Sequence, residues 1–256
     1  VLENVSSAFP GRYSQEQLHS FAKTNFKHIA GIAFEVIWSM SWKPDDLHRH
    51  FIIHGDEHLR KAMAKGTGVV GLLCHMGNFE FLASAIGLSG MNGYALYRKL
   101  DFLPLEWLLK ELRERFGTRM VPLRKASKKI ELLLRQGKLI GTLLDQNVDW
   151  YKGVFVDYFG RPACTNNGLA RLVLRTGAQV VPMFIRKEGQ KYVFEFLPAL
   201  VLEKTDDPIK DVENYTQIFV SSIESMVRQC PEQYFWVHNG WKTKPFSLIE
   251  NKPAAA

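Results

Sequence analysis

Two hydrophobic periods exchange regularly along the middle of this chain, and that exchange limits what it can fold into. Between residues 69 and 144, short apolar runs of strand length alternate with segments whose apolar residues recur at helical spacing. Continuous apolar runs read as strands buried on both faces, and the segments between them as amphipathic crossover helices. The pattern predicts strand 69–74, helix 78–88, strand 93–97, helix 104–116 closed by Gly117, strand 119–122, helix 126–136, Gly137 and strand 138–144. Helix 166–176, strand 179–186 and strand 191–197 follow, the last two joined as a hairpin through "KEGQ", and a final helix covers 208–229. The implied class is α/β, a mostly parallel central sheet flanked by helices. Right-handed crossovers then gather the carboxyl ends of the strands along one edge, where such sheets bind ligands.

The 256 residues show no repeat, low-complexity tract or Pro/Gly/Ser linker, and read as one domain over 1–256. Upstream, residues 14–42 carry Phe21, Phe26, Ile29, Ile32, Val36 and Ile37 at roughly helical spacing and end in "WSMSWKP". A core helix is the plainer reading of this N-terminal segment, and a helix lying on a membrane surface the sharper one. A short helix capped by Asp56 and closed by Gly66 comes next. No apolar run reaches the roughly 20 residues needed to span a bilayer. The chain starts without methionine, so a segment upstream is expected to be missing, an N-terminal anchor being one candidate, and Pro253–Ala256 reads as an unstructured end. The net charge of +7 favours phosphates, acidic carrier proteins or acidic membranes as partners. Nucleic acid has charge alone in its favour, because no recognition motif or aromatic-basic interleaving accompanies it. Three cysteines, Cys74, Cys164 and Cys230, without C-x-x-C spacing, fit reduced thiols better than a disulfide framework.

In "GVVGLLCHMGNFEFLASAIG", residues 68–87, a histidine ends the first apolar run and a carboxylate follows five positions later. His75 then sits on the ligand edge. Asn78 can cap the helix, and Glu80 falls in the first turn, where the helix dipole favours an ionised carboxylate. Such a carboxylate can keep one imidazole nitrogen protonated, leaving the other to take a proton from a hydroxyl. Gly77 would let the histidine turn back over the helix start. The rival reading is a satisfied turn histidine beside a helix-start glutamate, and the short, common H-x4-E spacing by itself favours it.

The chain has no G-x-S-x-G elbow, P-loop or G-x-G-x-x-G. Cys74 and His75, adjacent on one strand, point to opposite faces. His75 would therefore work as a base on a bound hydroxyl rather than on an enzyme nucleophile. Arg98 ends the second strand on the same edge. Arg113, Arg115, Arg119, Arg124, Lys125, Lys128 and Lys129 follow as a basic face that suits phosphate or an acidic carrier. Asp145 and Gln146 end another buried strand there. Thr165 or Asn166 can cap the next helix. His48, His50, His54 and His58 are dense but lack the spacing of a strong metal motif, and strand alternation would put His48 and His50 on one solvent face.

Four stretches, taken in order, resemble the bacterial lipid A biosynthesis acyltransferases of the lauroyl/myristoyl transferase family, within the wider H-x4-D/E glycerolipid acyltransferase group. They are "GDEHLRKAMAKGTGVVGLLCHMGNFE", "LYRKLDFLPLEWLLKELRERFG", "LLDQNVDWYKGVFVDYFGRPACTNNGLARLVLRTGAQVVP" and "PEQYFWVHNGWKTKP". The resemblance implies His75 as base and Glu80 as its orienting carboxylate. It places Arg98 and Arg113 on the acyl donor or headgroup, with Asn78, Asp145 and Gln146 lining the site. It implies transfer of a fatty acyl chain from acyl-carrier protein or acyl-CoA to a hydroxyl of an anionic glycolipid, at the cytoplasmic face of the inner membrane, with no metal or other cofactor. Acylation of another membrane lipid, a non-catalytic lipid-binding module and a thioesterase are the rival readings. One departure stands out: the family's arginine after W-x-H-x is Gly240 here, which points to a divergent acceptor.

Overall fold

The computed structural model describes residues 1–43, 47–88, 90 and 93–246; the side chains of residues 47 and 88 and the expected unstructured tail lie outside what it describes. Helices α1 (Leu2–Ala8), α2 (Gln15–Ser39) and α3 (Leu47–His50) lead into strand β1 (Phe51–His54) and helix α4 (Asp56–Met63). The alternating region holds β2 (Val69–Leu73), a 3-10 turn (Phe79–Phe81) running into α5 (Leu82–Leu88), β3 (Gly93–Tyr97), α6 (Leu103–Glu114), β4 (Arg119–Pro122), α7 (Ser127–Arg135) and β5 (Leu139–Leu143). Then come β6 (Gly153–Tyr158), β7 (Arg161–Asn166), α8 (Gly168–Thr176), β8 (Gln179–Glu188), β9 (Lys191–Phe196) and α9 (Pro208–Gln229).

Seven strands form one sheet in the order β1-β9-β8-β2-β5-β3-β4. All its neighbours are parallel except the β8–β9 hairpin, so the expected mostly parallel α/β sheet is the one observed. The centre explains why "VVGLL" reads as a strand: all five residues of β2 are buried between two helical layers. Its side chains alternate between two cores. Val69 and Leu73 pack with Phe81, Leu82 and Ile86 on the α5 face, whereas Val70, Leu72 and Cys74 pack with Ile130, Leu172 and Phe219 on the α7, α8 and α9 face. Burial of these side chains is worth about 1.5–3 kcal/mol each.

Several local expectations change. Gly55, with φ +71, holds the N-cap position of α4, and Asp56 is its first residue. His48 and His50 lie in a helical turn instead of a strand, with His50 stacked 4.2 Å from Trp42. Helix α2 begins in a capping box, Ser14 with Gln17, but it is no core helix: only Leu18, Ala22, Asn25, Ile32 and Ser39 are buried, and Phe26, Phe34, Ile37 and Trp38 stay exposed. The basic face also divides. Arg119 opens β4 and so lies at the opposite edge of the sheet, Arg115 donates to the Ser39 carbonyl at 2.7 Å, and Arg124 and Lys125 remain near the ligand edge. The region 153–166, read as loop, is an antiparallel hairpin turning through Phe159 and Gly160, both at positive φ. Neither Thr165 nor Asn166 caps α8; the N-cap is Asn167, and Asn166 accepts from the Gly168 N–H at 2.8 Å.

Candidate active site

The register of β2 on β5 builds the site. Leu73 pairs with Leu143, so His75 and Asp145, each two residues further on, arrive opposite one another. Alternation sends both to the α5 face. The imidazole Nδ1 lies 2.8 Å from Asp145 Oδ1, and the His75 backbone N–H donates to Asp145 Oδ2 at 3.0 Å. An ionised Asp145 accepts only, so Nδ1 carries the proton and Nε2 is left as the basic nitrogen.

The electrostatics follow from that contact. Burial by itself pulls the imidazole pKa down. The Asp145 charge and hydrogen bond, with a smaller push from the Glu80 charge, outweigh it and leave His75 raised above its ordinary value. Burial pushes Asp145 the other way, and the His75 charge and hydrogen bonds outweigh it, so its pKa is held low. The Asp145 side chain is 3 % exposed and that of His75 19 %, which describes a fixed carboxylate behind a base open on one side.

Glu80, expected on the imidazole, is hydrogen-bonded elsewhere. Arg113 grips it through two bonds of 2.9 Å, Nε to Oε2 and Nη2 to Oε1. The reason is local: Glu80 lies in the 3-10 turn that precedes α5, and its oxygens face α6. His75, Glu80, Arg98, Arg113 and Gln146 all line one cavity of about 380 Å³, together with the buried Leu82, Ile86 and Met120. Asn78 takes another course. It holds the position before the turn without a side-chain cap, is fully buried, and donates to Glu35 Oε2 at 2.8 Å. Cys74 faces the opposite core, where burial raises its thiol well above the usual range.

The turn that carries His75 is clamped from three sides. Gly77 has φ +56, and a Cβ there would come within 2.1 Å of the Ile185 carbonyl oxygen, so only glycine fits between the turn and β8. Its N–H donates to the Gln233 carbonyl, and the Phe235 N–H donates to the His75 carbonyl, both at 2.9 Å. On α2, Glu35 also receives Lys187 at 2.6 Å. Residues 233–238 thus belong to the site; the sequence marked them only as part of the family-like stretch 231–245, without a role for His238. The clearest case is His238, whose Nε2 accepts the Asn147 N–H at 2.8 Å and whose pKa burial lowers.

Helix α6, which lends Arg113 to the cavity lining, inverts the ordinary amphipathic pattern. Its acid Glu106 is 8 % exposed, bonded to the Tyr97 hydroxyl at 2.7 Å and the Leu100 N–H at 3.0 Å. Burial and this carboxylate push the Tyr97 hydroxyl up to about 12. Leu103 and Trp107, by contrast, are 74 % and 70 % exposed. Among the described residues no helix is long and apolar enough to cross a membrane, and no group of three or more His, Cys, Asp or Glu is arranged to hold a metal.

Comparison with known proteins gives the family. A family model described as "Bacterial lipid A biosynthesis acyltransferase" matches residues 1–243. The chain is 27% identical over 236 residues to the lipid A biosynthesis acyltransferase of Haemophilus influenzae, which covers 91% of this chain and 72% of that protein. It is 27% identical over 248 residues to the lipid A biosynthesis lauroyltransferase of Escherichia coli, 96% of this chain and 79% of that one. It is also 26% identical over 194 residues to the phosphatidylinositol mannoside acyltransferase of Mycobacterium tuberculosis, 74% of this chain and 60% of that one.

Proposed function

Because the chain belongs to the bacterial lipid A biosynthesis acyltransferase family and is an O-acyltransferase, we propose that it moves a fatty acyl chain from a thioester, on acyl-carrier protein or CoA, to a hydroxyl of a lipid A precursor or related glycolipid. The observation that carries this reading is the His75–Asp145 pair, with His75 in the lining of a cavity that also holds Leu82, Ile86 and Met120.

His75 Nε2 takes the hydroxyl proton as the oxygen attacks the thioester carbonyl. Asp145 holds the ring and stabilises the imidazolium through Nδ1–H. The tetrahedral oxyanion forms beside Arg98, which with backbone N–H groups supplies the stabilising positive field. Collapse breaks the carbon–sulfur bond, and the imidazolium returns its proton to the leaving thiolate. The ester bond replaces the thioester bond, and no enzyme nucleophile intervenes; Cys74, on the other face with a raised pKa, is unsuited to that part.

The inverted face of α6 and the exposed aromatics of α2 dock the protein on the cytoplasmic face of the inner membrane, and the cationic residues Arg98, Lys99, Arg124 and Lys125 favour its anionic lipids. The relative that acylates phosphatidylinositol mannoside leaves the acceptor as broad as a membrane glycolipid.

The test is transfer of labelled acyl groups from each thioester donor into a membrane lipid extract. Replacement of His75 by alanine should lower the rate about 10²–10⁴-fold. Transfer at the native rate by that variant would remove His75 from the base role, and free fatty acid as the main native product would reassign the protein to hydrolysis.

A further inference from the structure

The sheet edge that carries His75 has a cavity on each of its two faces. The catalytic one lies on the α5 face. The other, also about 380 Å³, lies on the α7 and α8 face, walled by Ile130, Leu144, Val148, Leu169 and Leu172. The two share Leu96, Leu123, Thr142, Leu143 and Gln146, all at the carboxyl ends of β3, β4 and β5, so they meet over the end of the sheet. This second space is an open cleft, and its aliphatic lining leaves apolar surface facing solvent until something apolar covers it. No residue of the proposed transfer lies within the second space apart from the shared rim.

We propose that this second cavity is a hydrocarbon-chain site, filled by an acyl chain carried on the acceptor lipid, while the His75 cavity takes the chain being transferred. The assignment rests on the acyltransfer reading above and adds the acceptor's place to it. A thioester has its chain attached directly to the reacting carbonyl carbon, so that chain must run down the cavity into which His75 itself opens. An acceptor lipid has its hydroxyl set apart from its chains. It can present the hydroxyl to His75 while a chain passes over Gln146 and Leu123 into the other face. The lining agrees: it is mostly aliphatic, its polar Ser127 and Gln146 are exposed to solvent, and Arg175 is already paired with Glu131 at 3.3 Å.

Counting bound chains separates this from the function it rests on. Native mass spectrometry of the protein with myristate should show two saturable chains. Leu172→Phe and Val148→Phe, on different walls of the second cavity, should each show one, and Ala83→Phe, in the catalytic cavity, should also show one. Circular dichroism identifies any variant that fails to fold, and the two second-cavity variants do not share a wall. Kinetics then assigns the chains: with thioesters from decanoyl to stearoyl, Val148→Phe should keep the donor length preference and raise the KM for a long-chain glycolipid acceptor at least tenfold, with little change for a short-chain one. A single chain in the native protein, or two in both second-cavity variants, overturns the site. A shifted donor preference in Val148→Phe overturns the assignment. Two chains bound without any transfer would leave the site standing and remove the enzymatic reading.

Discussion

Two carboxylates flank His75, and they reach it by opposite routes. Asp145 is 70 residues away in sequence yet bonds both the imidazole and the backbone N–H of His75. Glu80 is five residues away, and Arg113 occupies both of its oxygens. The first is set by strand register, and the second by a local turn. Register between two strands buried on both faces is stiff, because a slip of one residue would turn every side chain to the wrong core. A turn held by side-chain bonds has no such constraint. Contact in this fold is therefore governed by the sheet, and the carboxylate nearest along the chain is not the one bonded to the imidazole.

The largest test of that contrast is Asp145→Asn. An amide of the same shape keeps an acceptor for Nδ1–H but loses the charge that stabilises the imidazolium. We expect kcat to fall about 10²–10⁴-fold, the range of a lost acid–base arrangement. The pH profile gives a separate sign. In the native protein the His75 pKa is raised, so its neutral, basic form accumulates only as pH climbs through that raised value. Without the Asp145 charge the lowering effect of burial remains, so the acid limb of kcat/KM moves to lower pH in the variant. An acid limb that stays in place, or moves up, would break the comparison.

Glu80→Gln should do less. It leaves the imidazole bonds intact and removes one of the charges that raise its pKa, while freeing Arg113 to swing in the cavity. A charge-assisted bond of this kind is worth about 1.5–3 kcal/mol, which bounds the loss in kcat/KM at roughly 10–100-fold and places most of it in KM. A stability cycle with Arg113→Met should return a coupling of about 1–2 kcal/mol for a pair this partly exposed, 18 % and 20 %. If Glu80→Gln cost as much kcat as Asp145→Asn, the two carboxylates would be equal partners.

The same contrast explains what could be read from the sequence. Strand positions 93–97 and 119–122 and the final helix over 208–229 coincide with β3, β4 and α9, because each is a strongly patterned segment between turn residues. The strand ends alone put His75, Arg98, Asp145 and Gln146 on one edge. Which carboxylate meets His75 was not legible, since it depends on β2 pairing with β5 across two intervening strands of sequence. The hairpin at 153–166 did carry a signal: "VFVDY" and "RPACT" flank Phe159–Gly160, a two-residue connection of the kind hairpins use. The stretch 231–245 carried a family likeness, but not its contact with His75, because the clamp from residues 233 and 235 acts through main-chain bonds.

The smallest expected effect sharpens how the turn itself is held. Glu35 accepts from Asn78 at 2.8 Å and from Lys187 at 2.6 Å, behind the turn and away from the imidazole. Glu35→Gln keeps an oxygen for Asn78 but sets an amide against the Lys187 ammonium. With the Glu35 side chain 15 % exposed and that of Lys187 33 %, we expect a loss of about 1–2 kcal/mol in unfolding stability. The rate should fall only a few-fold, because Gly77 and the two main-chain bonds to residues 233 and 235 still fix the turn. The acid limb of kcat/KM should not move at all, since Glu35 is not among the groups that set the His75 pKa. Denaturant unfolding and a pH profile on the same variant decide it. A shifted limb would mean that the support behind the turn also governs the base, and that register alone does not position the pair.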